Sequence, residues 1–289
     1  MLPTFSIVIP SFNQSRYLEQ TLLSVFGQGY PGLEVLVLDG GSTDGSVDII
    51  RRHADRLAFW RSRADAGQAA AINEGMARAT GDLRCWLNSD DLFMPGILAE
   101  VAGAFPDASR PDCCYGACIG FREQPGGLDA FPFPAGPFDR SRLARQAYIL
   151  QPSTFWTRAL WEAAGPLDEG LHYAFDWEWF LRASAVAPFR FHARAWSLFR
   201  YHGDNKTTSG TARRKAEILD IVNRYADGFW PGLFALVHAE FAAFSRLGKP
   251  VHAATEQDYR ALLPGLFEQA RALGATPADL YVAYDMLRG

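Results

Sequence analysis

A doubly wound α/β fold is what this 289-residue sequence predicts, and three observations predict it. Short apolar, often β-branched runs recur through the first ninety or so residues. Segments with apolar residues at helical spacing lie between those runs, and each run ends in a polar loop bearing glycine or a carboxylate. A β-α-β-α-β-α-β rhythm of this kind builds a mostly parallel sheet with helices on both faces. The length allows one large α/β domain or two smaller ones around a substantial core.

The elements follow in order. Phe5–Pro10 and Leu33–Leu38 read as buried parallel strands. Between them Leu18, Leu22, Val25 and Phe26 recur at helical spacing, and Gln28-Gly29-Tyr30-Pro31-Gly32 ends that helix. A second helix follows Ser42-Thr43-Asp44 and carries Val47, Ile49 and Ile50. Phe59–Arg61 reads as a short third strand, Gln68 to Ala79 as an alanine-rich third helix, and Leu83–Leu87 as the fourth strand. After Pro106 the character changes. Proline and glycine cluster through Pro125–Pro137 and aromatics interleave with loops, which predicts an irregular, substrate-facing region with short helices at Arg158–Ala164 and Trp177–Ala185. From Thr211 the chain reads as helical again, with one stripe through Ile218, Ile221, Val222 and Tyr225 and another through Tyr259, Leu262, Leu263, Leu266 and Phe267.

Composition narrows the function. The chain is 48% hydrophobic and 13% aromatic, as expected of an ordered globular protein. Lys+Arg 28 against Asp+Glu 32, a net charge of -4 with no basic block, disfavours nucleic-acid binding. Met1-Leu2-Pro3-Thr4 runs into a strand with neither a basic region nor a cleavage site, and no run reaches the roughly 18 apolar residues of a membrane span. Cys85, Cys113, Cys114 and Cys118 lack the second pair or nearby His of a zinc site and read as buried thiols. A cytoplasmic protein is the expectation. The apolar stretch Phe229 to Phe244 contains Pro231, Gly232, His238 and Glu240, so it reads as packed against the core; peripheral membrane docking or a homodimer through the C-terminal helices are the alternatives.

Asn88-Ser89-Asp90-Asp91 carries the most chemistry. A strand that stops on carboxylates places hard oxygen ligands at the carboxyl edge of the sheet, where open α/β sheets bind ligands. Such ligands suit Mg²⁺ or Mn²⁺, which in turn suit a diphosphate. Paired acids also cap helices and solvate turns, but other polar motifs point to the same edge. Pro10-Ser11-Phe12-Asn13 closes the first strand, where it is a plain strand-to-helix turn or a loop offering backbone groups and an aromatic face. Asp39-Gly40-Gly41-Ser42-Thr43-Asp44-Gly45 closes the second: the glycines permit close backbone approach, Asp39 can accept from a ribose hydroxyl or a base N–H, and Asp44 reads as a helix cap. Asp65, in Asp65-Ala66-Gly67-Gln68 after the third strand, is a cap or a ligand contact.

Together these segments resemble family 2 of the GT-A glycosyltransferases. The resemblance rests on Phe5–Asn13, Asp39–Gly45, Asp65-x-Gly67, Asn73-x-Gly75, Thr80-Gly81-Asp82 and Asn88–Asp91 in order and spacing. Downstream it rests on Gln151–Trp156, Gly165-x-Leu167-Asp168-Glu169 and Asp176-Trp177-Glu178-Trp179-x-Leu181-Arg182, and it spans about residues 5 to 208. It implies a GT-A domain with a nucleotide-sugar-binding half over 1–105, an acceptor-binding half over 106–210 and a helical C-terminal extension over 211–289. The implied activity is transfer of a sugar, with inversion, from a nucleoside-diphosphate donor, by the family's commonest usage a UDP-sugar. The implied acceptor is a hydroxyl of a saccharide or lipid-linked molecule in bacterial surface-polysaccharide assembly. Nucleotide-sugar contacts then fall to Pro10, Ser11, Phe12, Asn13, Asp39, Gly41, Asp65, Gln68, Asn73, Asn88, Ser89 and Arg200. Asn88 stands where the family's Asp-x-Asp metal motif has its first Asp, so the resemblance makes Asp90 the ligand of Mn²⁺ or Mg²⁺, with Asp91 helping it or anchoring the loop.

An inverting transfer needs a base within hydrogen-bond reach of the acceptor hydroxyl. Asp176 matches the family's base position; from the residues alone it would read as a cap of the helix that follows. Glu178 and Asp168 read as surface or loop-ordering acids. Trp156, Trp177 and Trp179 suit either stacking on a sugar or the core, and Trp156 and Trp177 are the acceptor candidates. Phe199–Thr208 resembles the family's closing loop, with His202 as a further metal ligand or phosphate donor and Arg200 and Lys206 neutralising leaving-group charge. Two rivals are a sugar nucleotidyltransferase, which would carry a glycine- and Arg/Lys-rich loop where Pro10–Asn13 stands, and a catalytically inactive nucleotide- or sugar-binding module.

Overall fold

The computed structural model describes residues 2–203, 205–206 and 212–288. Two compact units arise: residues 1–138 with 148–203, and residues 139–147 with 204–289. Thr207 and Thr208 of the expected closing loop lie outside the described residues.

The first unit is built on one nine-stranded sheet. Its elements are β1 (Phe5–Ser11), α1 (Leu18–Phe26), β2 (Leu33–Asp39), α2 (Ser46–Arg52), β3 (Phe59–Ser62), α3 (Gln68–Arg78), β4 (Leu83–Trp86), β5 (Leu92–Phe93), α4 (Ile97–Ala104), β6 (Cys113–Gln124) and β7 (Gly127–Pro132). They continue as β8 (Thr154–Thr157), α6 (Arg158–Ala164), α7 (Phe175–Val186) and β9 (Phe189–Tyr201). The strand order is β3-β2-β1-β4-β8-β6-β9-β5, with β7 added on β6. The first four strands are parallel, and β8 is antiparallel to both β4 and β6.

Every residue of β1 is buried, and β2 is buried from Val35 to Asp39, which is why both read as continuous apolar runs. Gly75 lets α3 lie close on them: a Cβ there would fall 2.5 Å from Val8 Cγ1 and 2.8 Å from Leu38 Cδ2. The chain winds from β1 out to β3 and returns to place β4 on the other side of β1. That reversal puts the switch point of the sheet between the carboxyl ends of β1 and β4.

The second half differs from the sequence expectation. The region expected to be irregular holds the two longest strands, β6 with 12 residues and β9 with 13, paired in parallel with a register break between Gly116 and Cys118. β6 passes from buried to exposed along its length and β9 is more exposed in its first half and more buried in its second, so neither shows a clean period of two. The helix expected from Trp177 begins at Phe175, with Ala174 as its N-cap. Asp176 therefore lies inside the first turn and is not the cap.

The second unit contains α5 (Arg140–Leu143), α8 (Ala212–Tyr225), α9 (Trp230–Ala239), α10 (Glu256–Leu262), α11 (Pro264–Ala272) and α12 (Pro277–Arg288). Thr255 and Asp258 form a capping box on α10. Leu233, Phe234 and Val237 of α9 are fully buried, together with Ile221, Val222, Leu280 and Leu287. The apolar stretch from Phe229 thus supplies the core of this unit. Among the described residues no helix is long and apolar enough to cross a membrane.

Candidate active site

Four loops, one after each of β1 to β4, lie at the carboxyl edge of the sheet. Behind β1, Phe12 is 61% exposed and its ring lies over Gly40, where a Cβ would come 3.2 Å from Phe12 Cδ2. Asn13 has φ 51, the only left-handed non-glycine among the described residues. Asn tolerates that conformation, and here it ties two loops together: Asn13 N–H donates to Ser42 Oγ (2.7 Å), and Thr43 N–H donates to Asn13 Oδ1 (2.9 Å). Ser11 is buried.

Asp39, expected to accept from a ribose hydroxyl or a base N–H, is occupied by the protein's own donors. It is 0% exposed and accepts from Gly41 N–H (3.1 Å), Ser42 N–H (2.9 Å), Ser42 Oγ (2.5 Å) and Ser62 Oγ (2.6 Å). Its carboxylate is turned inward and shapes the loop. Gly41 is required there, because its φ is +87 and a Cβ would press on Ala64 N at 3.1 Å. Asp44 accepts from Ser15 N–H, Ser46 N–H and Ser46 Oγ, at 2.8, 3.0 and 2.6 Å. Burial raises its pKa, but those donors outweigh burial and hold it at about 2. Asp65 accepts from Gly67 N–H and pairs with Arg61 at 3.0 Å. Arg61 also donates to the Asp39 and Arg63 carbonyls, fixing Asp65 beside Gly40.

Behind β4, Gln68 Nε2 donates to Asn88 Oδ1 (2.8 Å) and Asn88 Nδ2 donates to Asp91 Oδ2 (3.3 Å). Ser89 is buried. Asp91 is 1% exposed and accepts from Arg200 N–H (3.1 Å). Burial, with the Asp90 charge beside it, pushes its pKa well up. Asp91 thus anchors the loop, while Asp90 beside it is only partly buried. Asp90 Oδ2 lies 3.0 Å from His202 Nε2, and the His202 ring packs on Tyr17 at 4.6 Å.

The Asp90–His202 pair fits a hard divalent ion. Adjacent ligands around octahedral Mg²⁺ or Mn²⁺ stand about 3 Å apart when metal–ligand bonds are ~2.1 Å long. Among the described residues no group of three or more His, Cys, Asp or Glu forms a self-sufficient cage. Two protein ligands suit an ion that substrate phosphates would complete.

Arg200 departs from the expected phosphate contact. It is 2% exposed, with its guanidinium between the rings of Tyr17 (4.7 Å) and Phe121 (4.6 Å). Nε donates to the Asp90 carbonyl (3.0 Å), Nη2 to Gln20 Oε1 (2.6 Å) and Nη1 to Glu123. Its donors hold the Asp90 loop from behind. Tyr17, Gln20 and Glu123, which surround Arg200, carry no local motif in the sequence, because they come from the start of α1 and from β6.

Among the acceptor residues, Asp176 is half-buried in the first turn of α7, and Trp177 N–H donates to its Oδ1 (2.7 Å). Glu178 is 2% exposed and paired with Arg182. Trp156 is 0% exposed, packed against Trp86, Trp161 and Trp179, and Trp177 is 3% exposed. Both are core residues here, because β8 lies between β4 and β6 and the start of α7 is buried. Asn73, expected at the donor, bonds to the loop at Leu167 and Glu169. Cys85, Cys113, Cys114 and Cys118 are buried free thiols, their pKa values raised by burial.

Comparison with known proteins agrees with this fold. The Glycosyl transferase family 2 profile matches residues 6–128. An uncharacterized glycosyltransferase of Mycobacterium tuberculosis is 33% identical over 187 residues, covering 64% of this chain and 70% of the relative. A PGL/p-HBAD biosynthesis glycosyltransferase of Mycobacterium bovis is 32% identical over 186 residues, covering 62% and 69%. The fold is similar to that of S. aureus TarS 1-349 in complex with UDP (TM-score 0.59, 17% identity, 99% of this chain and 91% of that one). It is also similar to the mannosyltransferase PcManGT of Pyrobaculum calidifontis in complex with GDP-Man and Mn²⁺ (TM-score 0.61, 19% identity, 99% and 87%). Against a longer S. aureus TarS structure the chain spans 55% of that protein's length. With a GT-A sheet and loops of this kind at its switch point, the chain belongs to glycosyltransferase family 2.

Proposed function

We propose that the protein is an inverting, metal-dependent glycosyltransferase that moves a sugar from a nucleoside-diphosphate donor, a UDP-sugar, to a hydroxyl of a saccharide or lipid-linked acceptor. The single observation that carries the reading is the Asp90–His202 pair, a carboxylate and an imidazole 3.0 Å apart at the carboxyl edge of the sheet. Phe12 supplies an exposed aromatic face beside Gly40 for the nucleoside base, and the loops at Gly41 and Asp65 line the same edge. Asp90 and His202 would hold Mn²⁺ or Mg²⁺, which offsets the charge of the departing diphosphate when bound.

Asp176 takes the proton of the acceptor hydroxyl as its oxygen attacks the anomeric carbon. The bond from that carbon to the phosphate oxygen breaks with its electron pair leaving on the nucleoside diphosphate, so configuration inverts in one displacement. Glu178 is unsuited to this role, since Arg182 engages both of its oxygens. A cytoplasmic setting and a role in surface-polysaccharide or glycolipid assembly are part of the same proposal; relatives named for PGL/p-HBAD biosynthesis support the latter.

Thermal stabilisation by a panel of nucleotide sugars, with and without Mn²⁺, tests it. A stabilising donor that depends on Mn²⁺ and is turned over supports the reading. Stabilisation without turnover of any donor would favour an inactive binding module instead.

A further inference from the structure

Glu178 and Arg182 are one turn apart on α7, so their side chains meet. Arg182 Nε donates to both carboxylate oxygens (2.8 and 3.0 Å) and Nη2 donates to Oε2 (2.9 Å), a forked pair on a nearly buried acid. The same guanidinium reaches off the helix. Nη1 donates to the Ala164 carbonyl and Nη2 to the Pro166 carbonyl (2.8 Å), while Trp179 Nε1 donates to the carbonyl between them, Gly165 (2.9 Å). Side chains of α7 thus grip three successive carbonyls, from the last residue of α6 into the segment that follows it.

The next residues of that segment are gripped from the opposite side. Leu167 N–H donates to Asn73 Oδ1 (2.9 Å), and Asn73 Nδ2 donates to the Leu167 carbonyl (3.0 Å) and to Glu169 Oε1 (2.9 Å). One amide side chain satisfies both backbone groups of a buried residue, as a neighbouring strand would. Asn73 belongs to α3, whose first residue, Gln68, donates to Asn88 of the Asp90 loop. Hydrogen bonds therefore run unbroken from the helix bearing Asp176, through residues 164–169, to the helix that supports the Asp90 loop.

We propose that Asn73, Glu178 and Arg182 are positioning residues of the transfer reaction: they strap α7 to α3 and so set where Asp176 stands relative to the bound donor. The proposal rests on the reading of Asp176 as base. The three residues act through it and touch neither substrate. A base displaced by about 1 Å loses up to ~10²-fold in rate, whereas the donor pocket, built on other loops, keeps its affinity.

A double-mutant cycle between Asn73→Ala and Asp176→Asn in the full chain tests this. The rate is release of UDP from UDP-N-acetylglucosamine, or GDP from GDP-mannose, with Mn²⁺ and with water in place of the acceptor hydroxyl. Donor affinity is read by calorimetry with the nucleoside diphosphate. Asn73→Ala should lower kcat about 10- to 100-fold with affinity unchanged within about twofold, and should cause no further loss in the Asp176→Asn background. Arg182→Lys, which keeps the charge beside Glu178 but cannot span the carbonyls, should show the same pattern and serves if the alanine variant folds poorly. A wild-type kcat in both strap variants, or an equal loss in both backgrounds, would overturn the proposal. Weakened donor affinity in Asn73→Ala would overturn it too, by placing Asn73 on the donor. A wild-type rate in Asp176→Asn alone would instead overturn the base reading, and it is seen before any strap variant is measured.

Discussion

Asp90 and His202 are 112 positions apart in sequence, yet Asp90 Oδ2 and His202 Nε2 stand 3.0 Å apart. β9 ends at Tyr201 and so brings His202 to the loop after β4, and Arg200 on that strand holds the loop by its Asp90 carbonyl. Both sides of the proposed metal site thus depend on a single strand.

Asp90→Ala should abolish the Mn²⁺-dependent part of nucleoside-diphosphate binding and leave the fold intact, because Asp90 lies in a strand-end loop. Calorimetric titration with and without Mn²⁺ checks it. Equal affinities in mutant and wild type would remove Asp90 from the metal.

Arg200→Lys should destabilise the protein by about 2–4 kcal/mol, since an ammonium cannot replace three divergent guanidinium bonds in a buried site. Urea denaturation measures this. A loss below about 0.5 kcal/mol would mean that Arg200 is not holding the loop.

Trp156→Ala should cost about 3–5 kcal/mol by leaving a cavity among Trp86, Trp161 and Trp179. Trp156→Phe should keep acceptor KM within about twofold. A large rise in KM at unchanged stability would return Trp156 to the acceptor site.

Asp44 gives a pH dependence with a definite sign. Its folded pKa of about 2 lies below the model-peptide value of 3.8, so its contribution is present above about pH 4 and lost as pH falls towards 2. Because Asp44 is solvent-exposed, screening reduces that contribution to about 1 kcal/mol. Asp44→Ala should therefore be less stable than wild type at pH 7 and equal to it near pH 2, as denaturant midpoints across that range will report.

β1 and β2 were legible in the sequence because parallel strands covered on both faces are continuous apolar runs; β3 and β4 were legible from their place between helical segments. β6 and β9 were not, because burial changes along each strand and a bulge interrupts their pairing. That the Asp90 loop and the His202 segment belong to one edge of the sheet was legible from residue type and context, and the structure sets them 3.0 Å apart. Asp39, Asn73 and Arg200 were legible as polar residues near the site, but their inward orientation was not, since it depends on donors and acceptors from distant elements. Trp156 shows the same limit: only the central place of β8 makes it a core residue.

The most direct measurement is single-turnover consumption of a saturating donor by Asp176→Asn, alongside a melting curve. The substitution keeps size and hydrogen bonding but removes the group that accepts the proton. The rate should fall about 10²–10⁴-fold with donor affinity and melting temperature nearly unchanged. A rate near wild type would contradict the role of Asp176 as base and with it the proposed mechanism.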